Sequence, residues 1–277
     1  MILVVGCNGM LGHDLMKELT GEVRGLDLPD IDITSLESVQ EAIERLKPRV
    51  VVNAAAYTDV DGCESNAELA MQVNGEGPAF LAMVTRSVGA RLVQVSTDYV
   101  FNGGKGEPYL EDDPTSPLSV YGESKLAGEM NAKFNPDHLI VRTQWLYGIH
   151  GKNFVETMMR LASEKDELAV VDDQIGSPTW TVDLSRAIRA LIDKGCKGIY
   201  HAANSGFCSW NGFAQAIFEE SKLDVRVLPL TTEQLNRPAR RPLYSTLDCG
   251  KLARDAGISL QPWQEALKSY LHLRKQA

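Results

Sequence analysis

Short apolar, β-branched runs alternate with longer amphipathic stretches through the first half of the chain. The runs at 2–5, 23–26, 50–52, 92–95 and 139–141 predict parallel strands, because a strand covered on both faces reads as a continuous apolar run. Between them, helical periodicity predicts helices at 11–19, 36–46, 67–88 and 120–133. Strands alternating with helices imply βαβ units. Pro48, Gly89 and Asn135-Pro136 fall between elements, where chain breakers belong. The second half is less regular. It predicts a helix at 154–162, a strand at 168–171, a loop over 172–179, a helix at 182–192, a strand near 199–201 and a helix at 210–220. The stretch 230–245, rich in Pro and Arg, is expected to loop over a ligand, and Pro262 to start a final helix ending near Leu273. The expected fold is α/β: a Rossmann-like doubly wound parallel sheet with a smaller C-terminal substrate-binding lobe. Residues 1–145 are expected to form the dinucleotide-binding part, with about 180–202 returning to it, and 146–277 the substrate lobe.

Composition narrows the partners. The 277 residues carry a net charge of −9, with 44% hydrophobic and 23% charged positions, enough for a sizeable core. An acidic chain without a basic stripe is not built for nucleic acid. Arg237, Arg240 and Arg241 form a local cluster suited to a small anion. Five scattered cysteines (Cys7, Cys63, Cys196, Cys208, Cys249) outline no metal or disulfide framework, which fits a reducing cytoplasm. The apolar start at 2–5 is too short for a membrane span or a signal core. A cytoplasmic protein without a membrane partner is expected.

Candidate chemistry begins at the first strand–helix junction. In Gly6-Cys7-Asn8-Gly9-Met10-Leu11-Gly12, the first glycine allows a tight turn, and the later ones let a pyrophosphate and the helix approach closely. The helix N-terminus adds free N–H groups and a positive dipole end. Gly6, Asn8, Gly9, Met10, Leu11 and Gly12 are therefore candidate dinucleotide contacts. Asp27 ends the second strand, where a carboxylate accepts hydrogen bonds from an adenosine ribose. Such an acid favours NADH over NADPH, with Arg24 nearby as a counter-indication. Asp32 and Ile33 are placed to border the adenine, although Asp32 is equally suited to capping a helix. The small residues Ala54, Ala55 and Ala56, followed by Tyr57, leave room for a flat cofactor at the third strand's end.

Ser96-Thr97-Asp98-Tyr99 ends the fourth strand, the end at which open α/β sheets bind ligands. Thr97 is expected to hold a substrate oxygen with help from Ser96. Tyr121 and Lys125 stand four apart, hence on one helix face. An ammonium at that spacing is expected to lower the tyrosine from its usual value of about 10. The combination points to carbonyl reduction: NADPH or NADH donates hydride, Tyr121 protonates the developing alkoxide, Lys125 holds the cofactor ribose, and Thr97 fixes the oxygen.

These residues resemble the extended short-chain dehydrogenase/reductase superfamily. Longer strings are similar to its dTDP-4-dehydrorhamnose reductase family: 53–61 (NAAAYTDVD), 96–101 (STDYVF), 121–129 (YGESKLAGE), 142–148 (RTQWLYG), 173–179 (DQIGSPT) and 241–247 (RPLYSTL). The resemblance spans the chain in order. It implies NADPH- or NADH-dependent reduction of a dTDP-4-keto-deoxyhexose, with Tyr121 as proton donor, Lys125 as its partner and Thr97 as the substrate-positioning hydroxyl. It further implies substrate contacts from Asp98, Tyr99 and Trp145, and from Arg241 at the nucleotide diphosphate. Tyr244 departs from the asparagine often found there, and is expected to reshape the nucleotide or sugar pocket. Some members are dimers with Mg2+ between subunits; the sequence has no acidic cluster that carries the metal over, and either a monomer or a homodimer fits. Two rivals remain. One is an epimerase, dehydratase or different deoxysugar reductase of the superfamily, although Tyr99 after Asp98 disfavours the acidic pair that elimination uses. The other is a binding module like the regulatory subunit of methionine adenosyltransferase.

Overall fold

Each apolar run of the first half forms a strand whose alternate side chains enter two different cores. The computed structural model describes residues 1–276. In chain order its elements are β1 (Ile2–Val5), α1 (Met10–Glu18), β2 (Val23–Leu26), α2 (Leu36–Leu46), β3 (Val50–Asn53), α3 (Val60–Ser65), α4 (Ala67–Met71), α5 (Gly77–Ser87), β4 (Arg91–Thr97), α6 (Val120–Ala132) and β5 (His138–Thr143). There follow β6 (Leu146–Tyr147), α7 (Phe154–Ala162), β7 (Glu167–Val171), β8 (Ile175–Gly176), β9 (Thr179–Trp180), α8 (Thr181–Asp193), β10 (Gly198–His201), β11 (Cys208–Ser209), α9 (Trp210–Ser221), β12 (Arg226–Leu230), α10 (Thr232–Leu235), α11 (Gly250–Ala256) and α12 (Trp263–Arg274).

The main sheet has the order β10-β5-β4-β3-β1-β2, and every pairing in it is parallel. Ile2 and Val4 face a core with Leu11 and Leu15 of α1, Leu184 and Ile188 of α8, and Leu252 of α11. Leu3 and Val5 face the opposite core, with Val39 and Ile43 of α2, Leu81 of α5 and Ala132 of α6. The same division separates Val50 and Val52 from Val51, and Leu139 and Val141 from Ile140. Burial of each such side chain is worth about 1.5–3 kcal/mol, so the sheet is held from both faces in a doubly wound arrangement. A third core joins Tyr147, Val155, Trp180, Phe213, Ile217, Trp263 and Tyr270, built from α7, α9 and α12 beside the paired strands β7 and β12. After residue 145 the chain returns to the sheet: α8 packs on α1 and β10 pairs with β5.

Strand order reverses between β1 and β3, since β2 lies outside β1 on one side and β3 on the other. A crevice opens at such a reversal, beyond the carboxyl ends of the strands. It brings the turn after β1 against Ala54 and Ala55 after β3. At Gly6 (φ +79°), an added Cβ would lie 2.6 Å from the Ala55 nitrogen, and at Gly12 it would meet the backbone of Gly6 and Cys7.

The stretch read as one helix over 67–88 is interrupted. A π turn at Gln72–Glu76 separates α4 from α5, and its Asn74 explains the break. That buried amide accepts from Tyr57 N–H at 2.9 Å and donates to the Tyr57 carbonyl at 2.9 Å and to Ser124 Oγ at 3.1 Å. Such turns recur near functional sites. The six-residue α3 is too short for periodicity to reveal; Asp59 caps it by accepting from Gly62 N–H at 2.9 Å. The loop expected over 230–245 contains α10, closed by a Thr231–Gln234 capping box. Pro229 hid β12 by its missing N–H; the residue is tolerated because β12 pairs with β7 alone.

Candidate active site

The glycine turn and α1 form the floor of the crevice. Gly9 caps α1 without a side-chain hydrogen bond, and the first turn holds no acid. The N–H groups of that turn are thus left for an anion. On one side a cavity of about 270 Å³ is walled by Gly6, Gly9, Asp27, Asp32, Ile33 and Ala54–56, among others. Asp27 is fixed there: Oδ2 accepts from Asn8 N–H at 3.0 Å and Oδ1 from Leu28 N–H at 2.9 Å. Asp32 accepts from the backbone and hydroxyl of Thr34, so it serves as a turn cap as well as a wall. On the other side the crevice widens to about 640 Å³, lined by Met10, Leu11, Ala54–56, Thr97, Asp98, Tyr99, Tyr121, Lys125 and Trp145, a size suited to a small-molecule ligand. Asn8, Gly12 and Tyr57 are not among the walls of either space; the Asn8 N–H is spent on Asp27. Gly12 is buried under the turn, and the Tyr57 backbone is engaged by Asn74.

α6 presents Tyr121 and Lys125 to this crevice. Ser119 caps it, accepting from Gly122 N–H at 3.2 Å, which starts the helix immediately before Tyr121. Lys125 is buried and donates from Nζ to the Val95 carbonyl at 2.8 Å. Burial lowers its pKa to about 8, against a smaller raising effect of Glu129. The expectation that Lys125 lowers the Tyr121 pKa is not met. Burial, then the Asp98 charge, push the Tyr121 phenol well above its usual value, only partly offset by the Thr97 hydroxyl. Desolvation wins because the ammonium is turned to a carbonyl on β4, and Lys125 has no resolved effect on the phenol. Tyr121 therefore keeps its proton.

Thr97 Oγ1 donates to Asp98 Oδ1 at 3.0 Å and accepts from Tyr99 N–H at 3.2 Å. Asp98 is 1% exposed, and its Oδ2 has no hydrogen-bond partner. Burial raises its pKa to about 6, opposed by the hydroxyls of Ser245 and Thr97. Ser96 borders the same crevice, but its hydroxyl is committed: it donates to Glu129 at 2.6 Å within the buried Glu129–Arg142 ion pair, so it braces the scaffold rather than helping Thr97 hold an oxygen. Tyr99 stands edge-on to Tyr121, ring centroids 5.3 Å apart. Trp145 holds a left-handed backbone (φ +48°) that is strained for a bulky side chain. Its ring stacks on Trp210 at 3.6 Å, which helps hold it at the crevice wall.

Arg241 lies in an adjoining cavity of about 700 Å³ with Arg237, Arg240, Asp173 and Gln174. Asp61 of α3 accepts from Arg241 at 3.0 Å, Arg237 at 3.3 Å and Ala239 N–H at 3.1 Å. Those three bonds tie the 236–241 segment across the crevice, and the arginines hold the Asp61 carboxyl below its usual range despite partial burial. Tyr244 is not a wall of that cavity; it packs edge-on against Phe207. Sequence reading had assigned no role to Asp61, Ser245 or the crevice-lining Lys152. Asp61 closes the quoted 53–61 string, and its pairing across about 180 positions leaves no local signal. Among the described residues, no group of three or more His, Cys, Asp or Glu is gathered as a metal site, and no helix is long and apolar enough to cross a membrane.

A family model described as RmlD substrate binding domain matches residues 1–275. The dTDP-4-dehydrorhamnose reductase of Streptomyces griseus is 47% identical over 277 residues, covering 96% of this chain and 91% of the relative. The crystal structure of a dTDP-4-dehydrorhamnose reductase from Clostridium acetobutylicum superposes with a TM-score of 0.97 at 47% identity, covering 99% of both chains. That of the Bacillus anthracis enzyme, in complex with NADP, gives 0.96 at 40% identity over 98% of both. With nearly its full length matched, the chain belongs to the RmlD substrate binding domain family, which it shares in sequence and fold with these dTDP-4-dehydrorhamnose reductases.

Proposed function

We propose that this chain reduces the 4-keto group of dTDP-4-dehydro-6-deoxy-L-mannose, giving dTDP-L-rhamnose, with a reduced nicotinamide dinucleotide as donor. The observation that carries this is the convergence of Thr97, Tyr121 and Lys125 on one crevice that opens from the Gly6–Leu11 turn. The residues fit such a cofactor. A backbone cradle that a Cβ at Gly6 or Gly12 would fill leads to a helix N-terminus without a side-chain cap. Gly6, Gly9, Met10 and Leu11 would hold the pyrophosphate, with Asn8 N–H bracing Asp27 beside the adenosine ribose. Asp32 and Ile33 would border the adenine, and Ala54–56 the flat face. When bound, the dinucleotide supplies hydride to the ketone carbon.

The chain's own residues manage the oxygen. Thr97 Oγ1 orients it, and Tyr121 transfers its phenolic proton as negative charge develops there. A phenol that stays protonated suits this direction, because an alkoxide is more basic than any tyrosinate. Lys125, anchored on the Val95 carbonyl, keeps further donors for the ribose and a positive charge in the crevice where the Tyr121 phenolate is left behind. Trp145 and Tyr99 wall the sugar. Arg241 would meet the diphosphate through the planar fork that suits phosphate. Work is divided between a dinucleotide-binding part, 1–145 with 180–202 returning, and a substrate lobe, 146–277; the sheet position of β10 and the separate third core support that division. A reducing, cytoplasmic setting belongs to the same reading, supported by five free thiols.

The test is absorbance at the reduced-nicotinamide band, with the keto-sugar nucleotide present and absent, and chromatographic identification of the product. Oxidation that depends on the keto-sugar and yields dTDP-L-rhamnose is expected. Absence of such oxidation would leave only a binding role, and a different product would reassign the sugar.

A further inference from the structure

Behind the crevice, α6 is tied to the end of β4 by a buried pair of charges to which the proposed reaction gives no part. Ser96 lies opposite Arg142 in the parallel register of β4 and β5, one residue before Thr97. Glu129, one turn after Lys125 on α6, meets both. Its Oε1 accepts from Ser96 Oγ at 2.6 Å and from Arg142 Nε at 2.8 Å, and its Oε2 from Arg142 Nη2 at 2.8 Å. The Arg142 and Glu129 side chains are only 3% and 1% exposed. The far edge of the guanidinium is held as well. Nη1 donates to the Glu111 carbonyl at 3.2 Å and lies 3.4 Å from His201 Nε2. His201 Nδ1 stands 3.1 Å from the Tyr109 carbonyl, which puts the ring proton on Nδ1 and leaves Nε2 as an acceptor. Burial and the Arg142 charge keep that imidazole neutral, with a pKa of about 3.

Stability alone is a poor reason for such a pair, since well-packed apolar side chains of similar volume often serve it equally. What the pair adjoins is Lys125. Lys125 and Glu129 stand four residues apart, hence on one helix face, and both reach β4. Lys125 donates to the Val95 carbonyl at 2.8 Å, and Glu129 holds the next residue, Ser96. Thr97, which follows them, bonds towards Tyr121. Burial drives the Lys125 ammonium towards its neutral form, and Glu129 is the charge that opposes this. Of the other ionisable groups nearby, Arg142 and His201 stand behind Glu129, while Asp98, Tyr99 and Cys63 act on Tyr121. We propose that Glu129 is a positioning residue for the reduction, acting through Lys125: its carboxylate keeps the buried ammonium charged for the dinucleotide, and its bond to Ser96 holds α6 in register with Thr97. The proposal deepens the reductase reading and rests on it. Arg142 supplies the counter-charge that Glu129 needs in so dry a place. A carboxylate about 6 Å away, the helical spacing of four, shifts an ammonium's titration by about half a unit at the dielectric of water, and by more in a buried site.

Titration with NADH and with NADPH from about pH 6 to 10, followed by quenching of tryptophan fluorescence, reads Lys125 without turnover. In the unaltered protein, affinity is expected to decline with a midpoint at about pH 8. Glu129→Gln leaves Arg142 buried without its partner, which endangers folding. The paired variant Glu129→Gln/Arg142→Gln, free of any buried unpaired charge, is therefore the main test, with circular dichroism and melting temperature as checks on folding. Its midpoint should fall by at least about half a unit. Glu129→Asp retains the charge but draws back from Ser96, so it should keep the midpoint of the unaltered protein and lose kcat. An unmoved midpoint in the folded paired variant would overturn the proposal, as would a Glu129→Asp midpoint that falls equally far. Unchanged kcat in Glu129→Asp would overturn its register half. Binding of neither dinucleotide by the unaltered protein would remove the reductase reading, and this proposal with it.

Discussion

The buried carboxyl of Asp98 should make this protein lose stability as pH rises through the weakly acidic range, and Asp98→Asn should abolish that loss. Burial lifts the group from its ordinary 3.8 to about 6, while in the unfolded chain it titrates normally. Between those values the folded state binds more protons than the unfolded one, so stability falls as pH increases. The penalty is complete above the folded value. A shift of about 2.2 units at 1.36 kcal/mol per unit is about 3 kcal/mol, a large share of a domain's usual 5–15 kcal/mol. The neutral amide keeps an acceptor for Thr97 and Ser245, and its unpartnered N–H2 costs the same at every pH. The assay is urea unfolding of both proteins at pH 4 and pH 7.5. The variant's stability relative to the unaltered protein should improve by about 2–3 kcal/mol between the two. An unchanged difference would mean that Asp98 is ionised at low pH, and the account of its orphaned Oδ2 would fail.

Other outcomes follow from the same geometry. Tyr121→Phe should cut kcat by about 10²–10⁴ with dinucleotide affinity nearly intact, read by turnover and fluorescence titration; unchanged turnover would refute the assigned acid. Lys125→Ala should weaken dinucleotide binding. In the unaltered protein, binding should decline above pH about 8, where the depressed ammonium loses its proton, whereas in the variant that decline should be absent. Asp61→Asn should raise KM for the sugar nucleotide more than it lowers kcat, because the carboxylate that ties Arg237, Arg241 and Ala239 across the crevice loses its charge. Equal effects on both constants would point to a general structural role.

The parallel sheet was legible because strands buried on both faces leave uninterrupted apolar runs. The strand at 2–5 came out at its observed limits for that reason, and the helix at 36–46 did so because its buried Val39, Ala42 and Ile43 recur at helical spacing. Tyr121, Lys125 and Thr97 were legible by spacing and by position at a strand end. What escaped depends on distant partners. Nothing local announces that Asn74 will replace a helical turn with bonds to Tyr57, or that Asp61 will meet Arg241. The Tyr121 titration was misjudged for a related reason. Spacing tells that Lys125 is near, but not that its ammonium turns to the Val95 carbonyl, nor that burial and the Asp98 charge act on the phenol instead.

The late return of the chain to its first sheet constrains how such enzymes can be recombined. β10 supplies the outermost rung beside β5, and α8 covers the Leu139–Val141 side through Leu184 and Ile188. A chimera joined once near residue 145 would inherit its edge strand and one covering helix from a foreign parent. A mismatched edge leaves amides unpaired and open to adhesion between molecules. Exchange of sugar specificity between relatives therefore calls for at least two further junctions, one before Thr181 and one after His201, so that this inserted passage stays with the host.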